Sequence, residues 1–75
     1  MMEIPIRTEV IRLGQLLKLA AVVENGSEAK ARVQNGEVMV NGEVETRRGR
    51  QLHPGDQVQI DNEKLLVVCD TESEG

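Results

Sequence analysis

The residues most able to do chemistry in this 75-residue chain are three arginines within four positions, Arg47, Arg48 and Arg50. A guanidinium presents a planar fork of donors that matches the oxygens of a phosphate. The surrounding segment, Thr46 to Gly55, adds His53 and contains no acid, so the arginines read as unpaired by neighbouring carboxylates. Arg12, Lys18, Lys30 and Arg32 supply further positive charge upstream. Together they suggest a grip on the phosphates of a polyanion. The competing reading is a solvated surface, on which arginines keep a strand edge from aggregating. Lys30 and Arg32 are two apart and do not share one narrow helical stripe, and Arg12 has Glu9 and Glu24 as alternative partners. Asn41 precedes Gly42 and reads first as a turn residue, with its amide as a secondary contact.

Other chemistries lack their parts. His53 is the single histidine, without the companions a catalytic constellation requires. Cys69 is the single cysteine; it can form neither an internal disulfide nor a cysteine-based metal site, and it lies in an apolar run, Leu65 to Cys69. Asp61 and Glu63 fall in a turn with no ligand set around them. No phosphate-cradling glycine loop or nucleophile motif is present. The expectation is a non-enzyme with no metal and no cofactor.

Composition narrows the class of partner. The net charge of −4 is unevenly spread: residues 1–55 carry eight basic and seven acidic side chains, and residues 56–75 one and six. The acidity is thus concentrated at the C-terminal end and does not argue against a polyanion bound elsewhere. There is no Phe, Tyr or Trp, which removes the stacking platforms used to read single-stranded nucleic acid. No apolar run approaches the roughly 20 residues of a membrane span, and the N-terminal segment has no apolar signal-peptide core. A cytoplasmic monomer is expected. A single domain of this size buries only about 60% of the surface of its unfolded chain, which leaves little room for a deep catalytic cleft.

The elements that must position these residues follow from periodicity. Glu3 to Arg7 alternates and contains Pro5, as expected of a short edge strand. Leu13, Leu16, Leu17 and Ala20 have helical spacing, with Thr8 or Glu9 as cap and an end near Val23. Ser27 is the expected cap of a second helix, Ala29 and Val33 its inward face, and Gly36 its left-handed C-terminal cap. The period then changes to two. Val38, Val40 and Val44 flank Asn41-Gly42, whose residue types suit a type I′ hairpin turn. Pro54-Gly55 is a further turn, Val58 and Ile60 a third strand, and Asp61 to Lys64 a turn into a fourth, Leu65 to Cys69. The fold class is α+β, with two consecutive helices packed on a small curled antiparallel sheet of four to five strands. Residues 1–69 are expected to form the domain and 70–75 a disordered acidic tail.

The run Gly26-Ser27-Glu28-Ala29-Lys30-Ala31-Arg32-Val33, leading into Val38-Met39-Val40-Asn41-Gly42, resembles the ribosomal protein S4-like RNA-binding domain. Arg12-Leu13-Gly14-Gln15 with Leu17-Lys18-Leu19-Ala20, and Arg47-Arg48-Gly49-Arg50 with Leu52, Pro54, Gly55 and Asp56, are similar to the same family. The ordered set covers about residues 10 to 60 and looks closest to small stand-alone bacterial members without a catalytic domain. The resemblance implies binding of structured RNA, such as ribosomal or pre-ribosomal RNA, through the two helices and the adjoining strand loop. Arg12, Lys18, Lys30, Arg32, Asn41, Arg47, Arg48 and Arg50 would be the contact residues. The chain departs from the pattern twice: Gly14 stands where many members have Asp, and Glu28 where many have Arg. The second change moves weight from the entrance of the second helix to Lys30, Arg32 and the arginine segment.

Two other readings compete. One is a protein–protein adaptor docking on a ribosomal protein or RNA-processing partner. The other is a β-grasp sulfur carrier, which the C-terminal half also resembles; carriers end in a Gly-Gly pair, and here Gly75 stands alone.

Overall fold

The computed structural model describes residues 1–70. Its elements are β1 (Met2–Ile6), β2 (Ile11–Arg12), α1 (Leu13–Leu19), α2 (Gly26–Gln34), β3 (Val38–Val40), β4 (Glu43–Val44), β5 (Gln51–Leu52), β6 (Gln57–Ile60) and β7 (Glu63–Cys69). The two helices pack on a five-stranded sheet of order β1-β7-β6-β3-β4, and β2 and β5 form a separate two-stranded sheet. The α+β class with consecutive helices is as expected.

The period-two pattern delivers the core. Ile4 and Ile6, Val38 and Val40, Val58 and Ile60, and Leu65 and Val67 are the buried alternate residues of four strands. They meet Leu13, Leu16, Leu17, Ala29 and Val33 from the helices in one aliphatic cluster. Burying each such side chain contributes about 1.5–3 kcal/mol, so a core without aromatics still closes on one face of the sheet. Asn41 and Gly42 both have positive φ, 51° and 89°, as a type I′ turn requires. Asp61 and Asn62, at 53° and 66°, make a second turn of this kind, so β7 begins already at Glu63. Gly36 is left-handed at φ 77°, as anticipated for the end of α2.

Four expectations need correction. The sheet is mixed, because β1 lies on its edge parallel to β7, with Ile4 opposite Val67. Alternation reveals which residues face the core but not strand direction, and β1 and β7 are far apart in sequence, with no turn to set their sense. Next, α1 starts at Leu13, not after Thr8 or Glu9, and stops at Leu19. The preceding pair Ile11 and Arg12 is drawn into strand pairing with Leu52 and Gln51, and Ala21 turns left-handed at φ 61°. Third, the cap of α2 is Asn25, not Ser27: its Oδ1 accepts the Glu28 N–H at 2.9 Å, while Glu28 Oε1 accepts the Glu24 N–H at 2.8 Å. Finally, Asp70, assigned to a loose tail, donates its N–H to Ile6 O at 2.8 Å and pairs with Arg7 at 3.0 Å. The rest of that expected tail, 71–75, lies outside the described residues.

Candidate nucleic-acid interface

The segment between β4 and β5 carries the arginine cluster, and its organiser is Glu45. This residue is only 6% exposed. Its backbone N–H donates to Val38 O, and its carboxylate accepts the Arg47 backbone N–H, Arg47 Nε at 3.0 Å and Arg50 Nη1 at 2.8 Å. Those bonds, from Arg47 above all and then Arg50, outweigh burial and hold the Glu45 carboxyl down to about 2. The cluster is therefore not free of acids: Glu45 sits just before the segment counted as acid-free and takes two of its three arginines. Arg47 keeps an open side, with 75% of its side chain exposed, whereas Arg50 is more enclosed. Arg48 forms no ion pair with another described residue.

The arginine segment is fastened to the start of α1. The first N–H groups of an α-helix have no partner within the helix. Here Leu13 N–H donates to Arg50 O at 2.8 Å and Gly14 N–H to Arg48 O at 3.0 Å. The β2–β5 pairing, Arg12 opposite Gln51, continues the seam. Segments distant in sequence are thus locked in register, and Arg12 and Arg48 come to one place.

That place is an open cleft of about 350 Å³. Arg12, Gln15 and Lys18 from the α1 side and Arg48 from the loop supply the polar part of its lining, and Gly26 and Ala29 of α2 also line it. No carboxylate-bearing residue lines it among the described residues. Three cations that form no ion pair with another described residue line one hollow, which suits a phosphate group or a bent stretch of phosphodiester backbone.

The other expected contacts lie apart from this hollow. Arg32 is turned to the protein itself, bonded to Glu37 and Asp61 with Glu28 at 3.9 Å, and its side chain is only 18% exposed. The bonds from Asp61 and Glu37 raise its pKa further above its already high ordinary value. It ties α2 to the start of β3 and to the β6–β7 turn. Lys30 is exposed, follows the cleft residue Ala29, and does not itself line the cleft. Asn41 has its amide engaged: Nδ2 donates to Asp56 Oδ1 at 3.1 Å and Oδ1 accepts the Gln57 N–H at 2.9 Å. Burial pushes the Asp56 carboxyl up, but the bonds from His53 N–H and Asn41 win and leave it below the usual range. Asn41 and Asp56 therefore brace the hairpin against β6. Among the described residues, no group of three or more His, Cys, Asp or Glu is placed to hold a metal ion, and no helix is long and apolar enough to cross a membrane.

The sequence reading passed over Gln15, Gly14 and Gly26 as cleft residues. Gly14 carried a usable signal, because glycine inside a helix costs about 1 kcal/mol relative to alanine and its presence suggests a close neighbour. Glu45 carried another: its position two before Arg47 allows both side chains to meet on one side of an extended segment.

Comparison with known proteins bears on the family of the chain. The S4 domain family is matched over residues 4–68. The "Probable ribosome maturation protein RlbA" of Bacillus subtilis (strain 168) is 52% identical over 58 residues, covering 77% of this chain and 82% of the relative. The "Putative RNA-binding protein YbcJ" of Escherichia coli (strain K12) is 36% identical over 59 residues, covering 79% of this chain and 84% of the relative. With the family matched across both helices and all strands from β2 to β6, this chain belongs to the S4 domain family.

Proposed function

We propose that this chain is a non-catalytic, cytoplasmic RNA-binding module that acts in ribosome maturation, with folded ribosomal RNA or its precursor as partner. The observation that carries the reading is the convergence of Arg12, Lys18 and Arg48 on one cleft that no carboxylate lines among the described residues. The names of its relatives, one a ribosome maturation protein and one an RNA-binding protein, point the same way. The absence of Phe, Tyr and Trp favours recognition of backbone shape over stacking of unpaired bases. Arg47, largely exposed although paired with Glu45, and the exposed Lys30 add further positive surface outside the cleft.

Binding through phosphates releases counterions, so affinity falls with salt by roughly 0.7–0.9 log units per log unit of salt for each phosphate engaged. Fluorescence anisotropy with ribosomal RNA fragments and with poly(U), across a salt series, tests the reading. The expected result is tighter binding to the folded RNA with a steep salt dependence. Equal binding to poly(U), or affinity that ignores salt, would refute it.

A further inference from the structure

We infer that Gly14 is a positioning residue for RNA binding: its missing side chain is what admits Arg48 to the cleft beside Arg12 and Lys18. The inference rests on the RNA-binding reading above and assigns to Gly14, itself part of the cleft lining, a role exerted through the side chain of Arg48.

A Cβ built on Gly14 would lie 2.6 Å from Arg48 Cγ and 3.1 Å from its Cδ. The Arg48 stem therefore crosses directly over the first turn of α1, in the space a side chain would occupy. The two residues are also joined through the backbone, Gly14 N–H to Arg48 O at 3.0 Å, so the loop cannot simply lift away. The obstructed atom is Cγ, near the root of the side chain. With the backbone held by that bond, relief comes by rotation about χ1, which swings the whole side chain, guanidinium included, out of its present course. Arg48 is exposed and makes no ion pair with another described residue, so this rotation costs the fold little. The helix itself has no need of glycine, the poorest helix former after proline. An alanine at position 14 is thus expected to help the helix and harm the site, and a purely structural glycine would not produce that opposition of signs.

The test compares Gly14→Ala, Arg48→Ala and the double variant, with Arg12→Ala and Lys18→Ala alongside, in anisotropy titrations with ribosomal RNA fragments and in thermal melts. Loss of one charged phosphate contact is expected to weaken binding about tenfold. Gly14→Ala should show a loss of this size, a salt slope reduced by about 1, and a melting temperature equal to or above that of the parent. In the double variant the second change should add no further loss, because the residue it displaces is already absent. If Gly14→Ala binds like the parent while Arg48→Ala is impaired, the inference is wrong and the RNA reading stands. It is equally wrong if Arg48→Ala is silent while Arg12→Ala and Lys18→Ala are impaired. If all three cations are silent, the RNA reading itself fails, and the inference with it. Should Gly14→Ala unfold, adding Arg48→Ala removes the obstructing atoms and should restore folding; no restoration would show that the glycine serves the backbone and overturn the inference.

Discussion

Arg48 and Arg32 belong to the same sequence-derived set of candidate contacts, yet the fold uses them in opposite ways. Arg48 lies over Gly14 on the wall of a cleft that it shares with Arg12 and Lys18. Arg32 is drawn into a junction of three carboxylates, Glu28, Glu37 and Asp61. The comparison teaches that a basic residue is available to a polyanion only where the fold leaves its charge uncompensated. The compensating acid can be remote in sequence: Asp61 is 29 positions from Arg32. The arginine cluster repeats the lesson at short range, since Glu45 holds Arg47 and Arg50 and leaves Arg48 to the cleft.

The largest expected effect breaks the cleft side of the comparison. Replacing Arg12, Lys18 and Arg48 together by Ala should weaken binding to ribosomal RNA fragments by about 100-fold or more, at roughly 1.5–3 kcal/mol per charged contact before losses from non-additivity. Anisotropy at fixed salt measures it, and thermal melts should change little, because none of the three makes an ion pair with another described residue.

A smaller effect sharpens the role of Glu45. Its carboxyl is held at about 2, below the ordinary value of 4.5, so its ionised form is favoured in the folded state. Its contribution is therefore complete above about pH 4.5 and is lost as pH falls toward 2. Glu45→Gln should destabilise the protein at neutral pH by about 1–2 kcal/mol, and the difference from the parent should shrink as pH is lowered through that window. Chemical denaturation at a series of pH values checks both statements.

The smallest effect tests the Arg32 side. Arg32→Ala should cost at most about 1 kcal/mol of stability, the usual range for partly exposed ion pairs, and leave RNA affinity within about twofold. If Arg32→Ala weakened RNA binding as much as Arg48→Ala, the distinction between the two regions would collapse.

Much of the fold was legible from local chemistry. Val38, Val40, Val58, Ile60, Leu65 and Val67 announce the inward face of the sheet by alternation, and Asn41-Gly42 announces its hairpin by residue type. Leu13, Leu16 and Leu17 mark the buried stripe of α1. The start of α1 was not legible, because Ile11 and Arg12 become a strand only through pairing with Leu52 and Gln51, about forty residues downstream. The candidate site was legible in part. Arg12, Lys18 and Arg48 stood among eight candidates, and nothing local separated them from Arg32, whose partners come from its own helix, the α2–β3 connection and the β6–β7 turn, or from Asn41, whose amide is spent on Asp56 and Gln57.

By itself the sequence determined a small α+β module with an aliphatic core, no base-stacking platform and a surplus of arginine after the hairpin, because residue type and spacing set burial and turn geometry locally. Which arginine is available was decided only by the tertiary structure. The seam that carries α1 N–H groups onto the Arg48 and Arg50 carbonyls, the bare backbone at Gly14, and the carboxylate of Glu45 together sort three adjacent arginines into two that hold the loop and one that faces the cleft. That sorting depends on distances between segments remote in sequence, and charge compensation falls off too steeply with distance for a linear count to reveal it.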